Sequence, residues 1–75
     1  MKLKKSEIDW DAVGRRLREL RGFEMNQKEL ANRLGVSQAQ LSRYEKGLNQ
    51  IRPEVLVRIS EEFGKRVEWL LAGKE

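Results

Sequence analysis

Apolar residues recur along this chain at helical spacing, and no stretch alternates long enough to predict a strand. Trp10, Val13, Leu17 and Leu20 mark one face of a helix from about Asp9 to Arg21, with Asp9 placed to cap it and Gly22 breaking the pattern. The next segment, "MNQKEL", carries Asn26 with Glu29 three residues on, flanked by Met25 and Leu30. That is a capping box with a hydrophobic staple, so a second helix is predicted from Gln27 to about Leu34. Leu30, Ala31 and Leu34 should face inward, and Gly35 should take the left-handed conformation that closes such a helix. "VSQAQL" repeats the device: Ser37 caps, Gln40 sits at the third helical position, and Val36 staples to Leu41. A third helix therefore starts at Gln38, buries Leu41 and Tyr44, and stops near Gly47. After the loop "LNQIR", Pro53 suits the first position of a fourth helix carrying Leu56, Ile59 and Phe63, ended by Gly64. A short fifth helix, about 66–72, carries Val67, Leu70 and Leu71, with Gly73 after it. The pattern predicts an all-α chain: a basic arm at residues 1–8, then one domain over residues 9–73.

The second and third of these segments form a recognisable unit. Two short helices joined by a tight turn containing Gly describe a helix-turn-helix. Ala31 supplies a small residue where the helices cross, Gly35 tolerates positive φ in the turn, and Val36 plugs the angle between them. A plain helical hairpin would use the same caps, so the local pattern alone leaves both readings open.

The side chains opening the third helix favour nucleic acid. A solvated helix face tends to carry Glu and Lys, whereas Gln38, Ala39, Gln40 and Arg43 stand here, and the helix has no acidic group before Glu45. In a DNA-reading helix-turn-helix the first turns of the second helix meet base edges in the major groove. The Gln amide matches adenine, the Arg guanidinium matches guanine O6/N7, and Ala fits against a thymine methyl. Each residue has a plainer alternative. Gln40 completes a capping box with Ser37, Ala39 is a good helix former, and Arg43 is a solvated helix residue. Ser42 is exposed filler or a phosphate contact. Gln27 lies where its side chain and the free N–H groups of the helix N-terminus can meet a phosphate, with Asn26, Ser37 and Lys46 as further backbone-contact candidates.

Taken together, "NQKELANRLGVSQAQLSRYEKG" at 26–47 closely resembles the helix-turn-helix of phage repressor and Cro proteins, the Xre-type regulators. The likeness rests on Gln27, Leu30–Ala31, Leu34–Gly35–Val36–Ser37, Leu41–Ser42 and Glu45–Lys46–Gly47. It extends to "RLREL" before the motif and "EFGKRVEWLLAG" after it. The resemblance implies a five-helix, lambda-repressor-like DNA-binding domain, a dimer, and a role as a transcriptional repressor at a palindromic operator. It places Gln27 at the family's phosphate-contacting glutamine, and Gln38, Ala39 and Arg43 at variable base-reading positions. It implies that Glu45 pairs with an arginine of the first helix, Arg21 or failing that Arg18. The ordinary alternative for such a pair is a surface ion pair worth about 0–1 kcal/mol. Two departures stand out. The link "GFEMN" is one residue shorter than the common pattern, and Lys65 and Arg66 stand where the family often has a small apolar residue and a Ser or Thr cap.

Composition narrows the rest. Seventy-five residues make one domain at most. With no Cys and no His, disulfides, thiolate metal sites and the commonest general base are excluded. No phosphate loop or metal-ligand spacing appears, so neither an enzyme nor a cofactor or small-molecule ligand is expected. The N-terminal "SEIDWD" is not the apolar core of a signal peptide, and the longest fully apolar run, "WLLA", is too short to span a bilayer, so a cytoplasmic protein is expected. Net charge +4 modestly favours a polyanionic partner. The competing class is a partner-binding antitoxin or adaptor, for which Trp69, Leu70 and Leu71 could supply a surface. A homodimer would draw on the same helix 4–5 region, with Ile51 and Trp69 as candidate contacts. Leu70 is expected in the core and Trp69 partly exposed.

Overall fold

The protein's structure, a computed structural model, describes residues 8–74. The proposed basic arm therefore lies, except for Ile8, outside the described residues. Helix α1 runs Trp10–Arg21, α2 Gln27–Leu34, α3 Gln38–Glu45, α4 Pro53–Phe63 and α5 Val67–Ala72. There are no strands among the described residues.

Capping decides where the helices begin. Asp9 accepts from the Ala12 N–H at 3.2 Å, Asn26 from Glu29 N–H at 2.8 Å, and Ser37 from Gln40 N–H at 3.0 Å. Each satisfies one of the donors a helix start leaves unpaired. Both capping boxes are only half formed. The Glu29 carboxylate lies 3.7 Å from Arg33 on the next turn, and Gln40 makes no return bond to Ser37. Pro53 occupies the first position of α4 as expected, while Arg66 precedes α5 without any side-chain cap. Gly35 takes the expected left-handed conformation, φ 74 and ψ 30, with Val36 N–H returning to Ala31 O at 3.0 Å.

The core joins all five helices. Val13 and Leu17 of α1 meet Leu30, Ala31 and Leu34 of α2, Leu41 and Tyr44 of α3, Val55, Leu56 and Ile59 of α4, and Leu70 of α5. Full burial of one such aliphatic side chain contributes about 1.5–3 kcal/mol. Ile51 lies in the same core at 3% exposure, which corrects its assignment as a dimer contact. The residue before α4 is drawn inward to anchor the loop and has almost no surface to offer a second chain. Trp69 is half-buried, as expected, with the Lys65 Nζ 4.8 Å from its ring centroid.

Helix α1 is held against the end of α3 more tightly than its apolar pattern suggests. A Cβ on Gly14 would fall 2.5 Å from Glu45 O and 2.6 Å from Tyr44 O. Only a residue without a side chain lets the two backbones approach so closely. Two arginines brace helix ends at long range: Arg16 Nη1 donates to Leu70 O, and Arg58 Nη1 donates to Leu34 O, both at 2.9 Å. The second bond reaches from α4 to the last turn of α2, immediately before the turn leading to α3.

Candidate nucleic-acid interface

Within α3, burial separates the side chains by face. Leu41, Tyr44 and Glu45 are buried, Gln38, Ala39 and Arg43 are exposed, and Gln40 and Ser42 are half-buried. The inner residues fix the rotation of the helix, so the outer three must project from the molecule. No acidic group lies in its first turn. Among the described residues the Gln38 amide makes no hydrogen bond, and Arg43 makes one, from Nε to Asn49 Oδ1 at 3.3 Å. Gln40 instead lies along an open polar groove of about 490 Å³, shared with Ser37, Tyr44, Asn49, Gln50 and Arg52. The Tyr44 hydroxyl is buried without a hydrogen-bond partner.

Behind this face lies an ionic cluster. Arg21 donates from Nε to Glu45 Oε2 at 2.7 Å and from Nη2 to Oε1 at 2.9 Å, and its Nη1 reaches Met25 O at 3.2 Å. The partner of Glu45 is thus Arg21, not Arg18. The pair is not a surface pair: the side chains are 19% and 2% exposed. Hydrogen bonding to Glu45, reinforced by its charge and opposed by desolvation, holds the Arg21 guanidinium above its already high ordinary pKa. A carboxylate this deeply placed is tolerable only with its lone pairs satisfied, and a third donor completes the set: Gln27 Nε2 gives a hydrogen bond to Glu45 Oε1 at 2.9 Å.

That bond takes up part of the side chain expected to meet a phosphate. One of its N–H groups is tied to the buried cluster, and its side chain is half-buried. Asn26 is exposed, its Oδ1 engaged by the cap. Ser37 is exposed with its Oγ likewise engaged, and Lys28 and Lys46 are exposed. Arg33 does not join this basic set, because Glu62 of α4 holds it at 2.6 Å and raises its pKa through that hydrogen bond.

Two positions were not legible as contributors to the site. Asn49 stands in the loop read only as a connection, and Arg58 is 24 residues from the carbonyl it grips. Gly14 carried a partial mark, since a Gly inside a helical pattern costs about 1 kcal/mol relative to Ala and so asks for a packing reason.

Comparison with known proteins decides the family. A family model described as helix-turn-helix matches residues 15–70, spanning α2 and α3 and their support. The chain belongs to the Xre/Cro-type helix-turn-helix family. This is a family of DNA-binding transcriptional regulators rather than an enzyme class. The P22 c2 repressor, solved in complex with a synthetic operator, superposes with a TM-score of 0.77 at 27% identity, covering 83% of this chain and 96% of that one. The N-terminal DNA-binding domain of SinR from Bacillus subtilis superposes with a TM-score of 0.75 at 27% identity, covering 87% and 97%. In sequence, the chain is 47% identical over 53 residues to a Pyrococcus abyssi protein described as an HTH-type transcriptional regulatory protein. The match covers 67% of this chain but only 16% of that relative's length. No helix among the described residues is long and apolar enough to cross a membrane, and no cluster of side chains among them could hold a metal ion.

Proposed function

We propose that the protein is a sequence-specific regulator of transcription, a repressor, that binds a palindromic double-stranded operator as a homodimer with α3 in the major groove. The observation that carries this reading is the outer face of α3. It presents an amide, a methyl and a guanidinium from a helix with buried anchors, and these are the groups that match base edges. Gln38 and Arg43 are the principal readers, Ala39 offers its methyl, and Gln40, set back in the groove, is the weakest. Gln27 keeps one N–H for a phosphate while the other remains on Glu45. Asn26, Ser37, Ser42 and Lys46 border the same face and supply further backbone contacts, which position the protein without reading sequence.

One recognition helix covers few base pairs, whereas two spaced one DNA turn apart, ~34 Å, read a palindrome. With Ile51 withdrawn into the core, Trp69 on α5 is the remaining candidate at the dimer contact. Selection of bound sequences from a random DNA pool, with the mass of the protein in solution measured beside it, tests this reading. A twofold-symmetric consensus bound by two chains is expected, with affinity falling steeply as salt rises, because each phosphate contact releases counterions. Asymmetric sites bound by a monomer, or binding indifferent to salt, would contradict it.

A further inference from the structure

Arg43 leaves the outer face of α3 with one donor already committed. Its Nε gives a hydrogen bond to Asn49 Oδ1 at 3.3 Å. Residues six apart do not meet on a straight helix, so the closure of α3 must bring them together. Gly47 adopts φ 73, its N–H donates to Tyr44 O at 3.1 Å, and Leu48 N–H donates to Arg43 O at 3.0 Å. This double closure, which needs a left-handed residue at its centre, folds the chain back along the helix. Asn49 then arrives beside the Arg43 side chain. Its segment is supported on both sides, by the Leu48 bond before it and by the buried Ile51 after it. Asn49 itself is half-buried on the wall of the polar groove. The backbone that carries the carboxamide is therefore held in place, and the long arginine stem is the group with more freedom to lose.

We propose that Asn49 is a positioning residue for base reading: it pins the Arg43 guanidinium so that its terminal edge faces the bases. This rests on the reading of Arg43 as a base-contacting residue. A guanidinium has five N–H donors in one plane. With Nε engaged, Nη1 and Nη2 remain as a forked pair, and that fork fits O6 and N7 of guanine. An arginine without such a tether also reaches flanking phosphates, which carry no base information. Pinning removes those alternatives and part of the ordering cost of binding. Asn49 contributes to preference at one base pair without touching it.

The test uses the full chain and binding-site selection, with thermal melts in parallel, on the parent, Asn49→Ala, Asn49→Asp, Arg43→Ala and the double variant Arg43→Ala/Asn49→Ala. Arg43→Ala is expected to erase preference at one base pair of each half-site. Asn49→Ala is expected to weaken preference at that same pair about two- to tenfold, the scale of pre-ordering one flexible side chain, with its melt unchanged. The double variant should discriminate at that pair no worse than Arg43→Ala alone, because the two residues act as one unit. Asn49→Asp keeps the acceptor and should keep the preference, while its added negative charge lowers affinity for every sequence alike. The proposal is overturned if Asn49→Ala weakens all sequences equally, if it moves preference at a different pair, or if Asn49→Asp loses the preference as Asn49→Ala does. If Arg43→Ala removes a preference that Asn49→Ala leaves whole, the pinning fails while Arg43 remains a reader. If Arg43→Ala changes no preference, base reading by Arg43 fails and the pinning falls with it.

Discussion

Gln38, Ala39 and Arg43 on the outer side of α3 and Leu41, Tyr44 and Glu45 on its inner side interleave within eight residues, yet they meet opposite conditions. The inner three are fitted to neighbours from other helices, down to the Glu45 carboxylate with three donors around it. The outer three have room and few partners. Side chains buried among other helices hold the helix in place, Tyr44 included although its hydroxyl finds no partner. Those left exposed on that rigid support, with hydrogen-bonding groups still to offer, are where a ligand can be read. The contrast implies that substitutions on the two sides should fail by different routes.

The largest effect is expected from Leu41→Ala. Truncating a leucine at 0% exposure costs about 2–5 kcal/mol through lost burial and the cavity left behind. A domain of this size has a total stability of about 4–11 kcal/mol, so the melting temperature should fall sharply and DNA binding should be lost along the same transition as the fold. Glu45→Ala follows at about 3 kcal/mol. It strands the Arg21 guanidinium and the Gln27 amide, and the residual 19% exposure of Arg21 keeps the loss at the lower end for a broken buried pair. A denaturant titration would check this, and a loss under about 1 kcal/mol would return the pair to the surface class. Gly14→Ala should cost about 1–3 kcal/mol by overpacking, although Ala is the better helix former, because its Cβ meets the α3 backbone. An unchanged or raised melting temperature would show that α1 and α3 do not approach as described.

On the outer side the melts should not move. Arg43→Ala and Gln38→Ala should each cost about 1–3 kcal/mol of discrimination at one base pair, and titrations against single-base operator variants would read this directly. Gln27→Ala is the smallest and the one mixed case. It should lower affinity for all sequences alike and also lower stability by about 1 kcal/mol, since its amide serves both the buried carboxylate and the outer face. A uniform loss of affinity with no change in the melt would separate Gln27 from the cluster.

Much of this was readable in the sequence because its causes are local. Asn26, Ser37, Gly35 and Pro53 act on residues within a turn of themselves, and each marks a helix boundary where the structure has one. The exposure of Gln38, Ala39 and Arg43 follows from the helical position of Leu41 and Tyr44 alone. What escaped depends on contacts between distant segments. Ile51 looks like an exposed apolar loop residue until α4 and the core are in place to receive it. The depth of the Arg21–Glu45 pair and the diversion of Arg33 to Glu62 require knowing how α1, α2, α3 and α4 pack. Asn49 reaches Arg43 only through the particular closure of α3 at Gly47.

The central claim, that the outer face of α3 reads base edges in the major groove, is tested most directly by dimethyl sulfate protection on a selected operator. The reagent methylates guanine N7 in the major groove and adenine N3 in the minor groove, so the two grooves report separately. The account predicts protection of a guanine N7 in each half-site, placed symmetrically about the centre, present with the parent protein and absent with Arg43→Ala at saturating concentration. An operator fully occupied by the parent with every guanine N7 still reactive would contradict it.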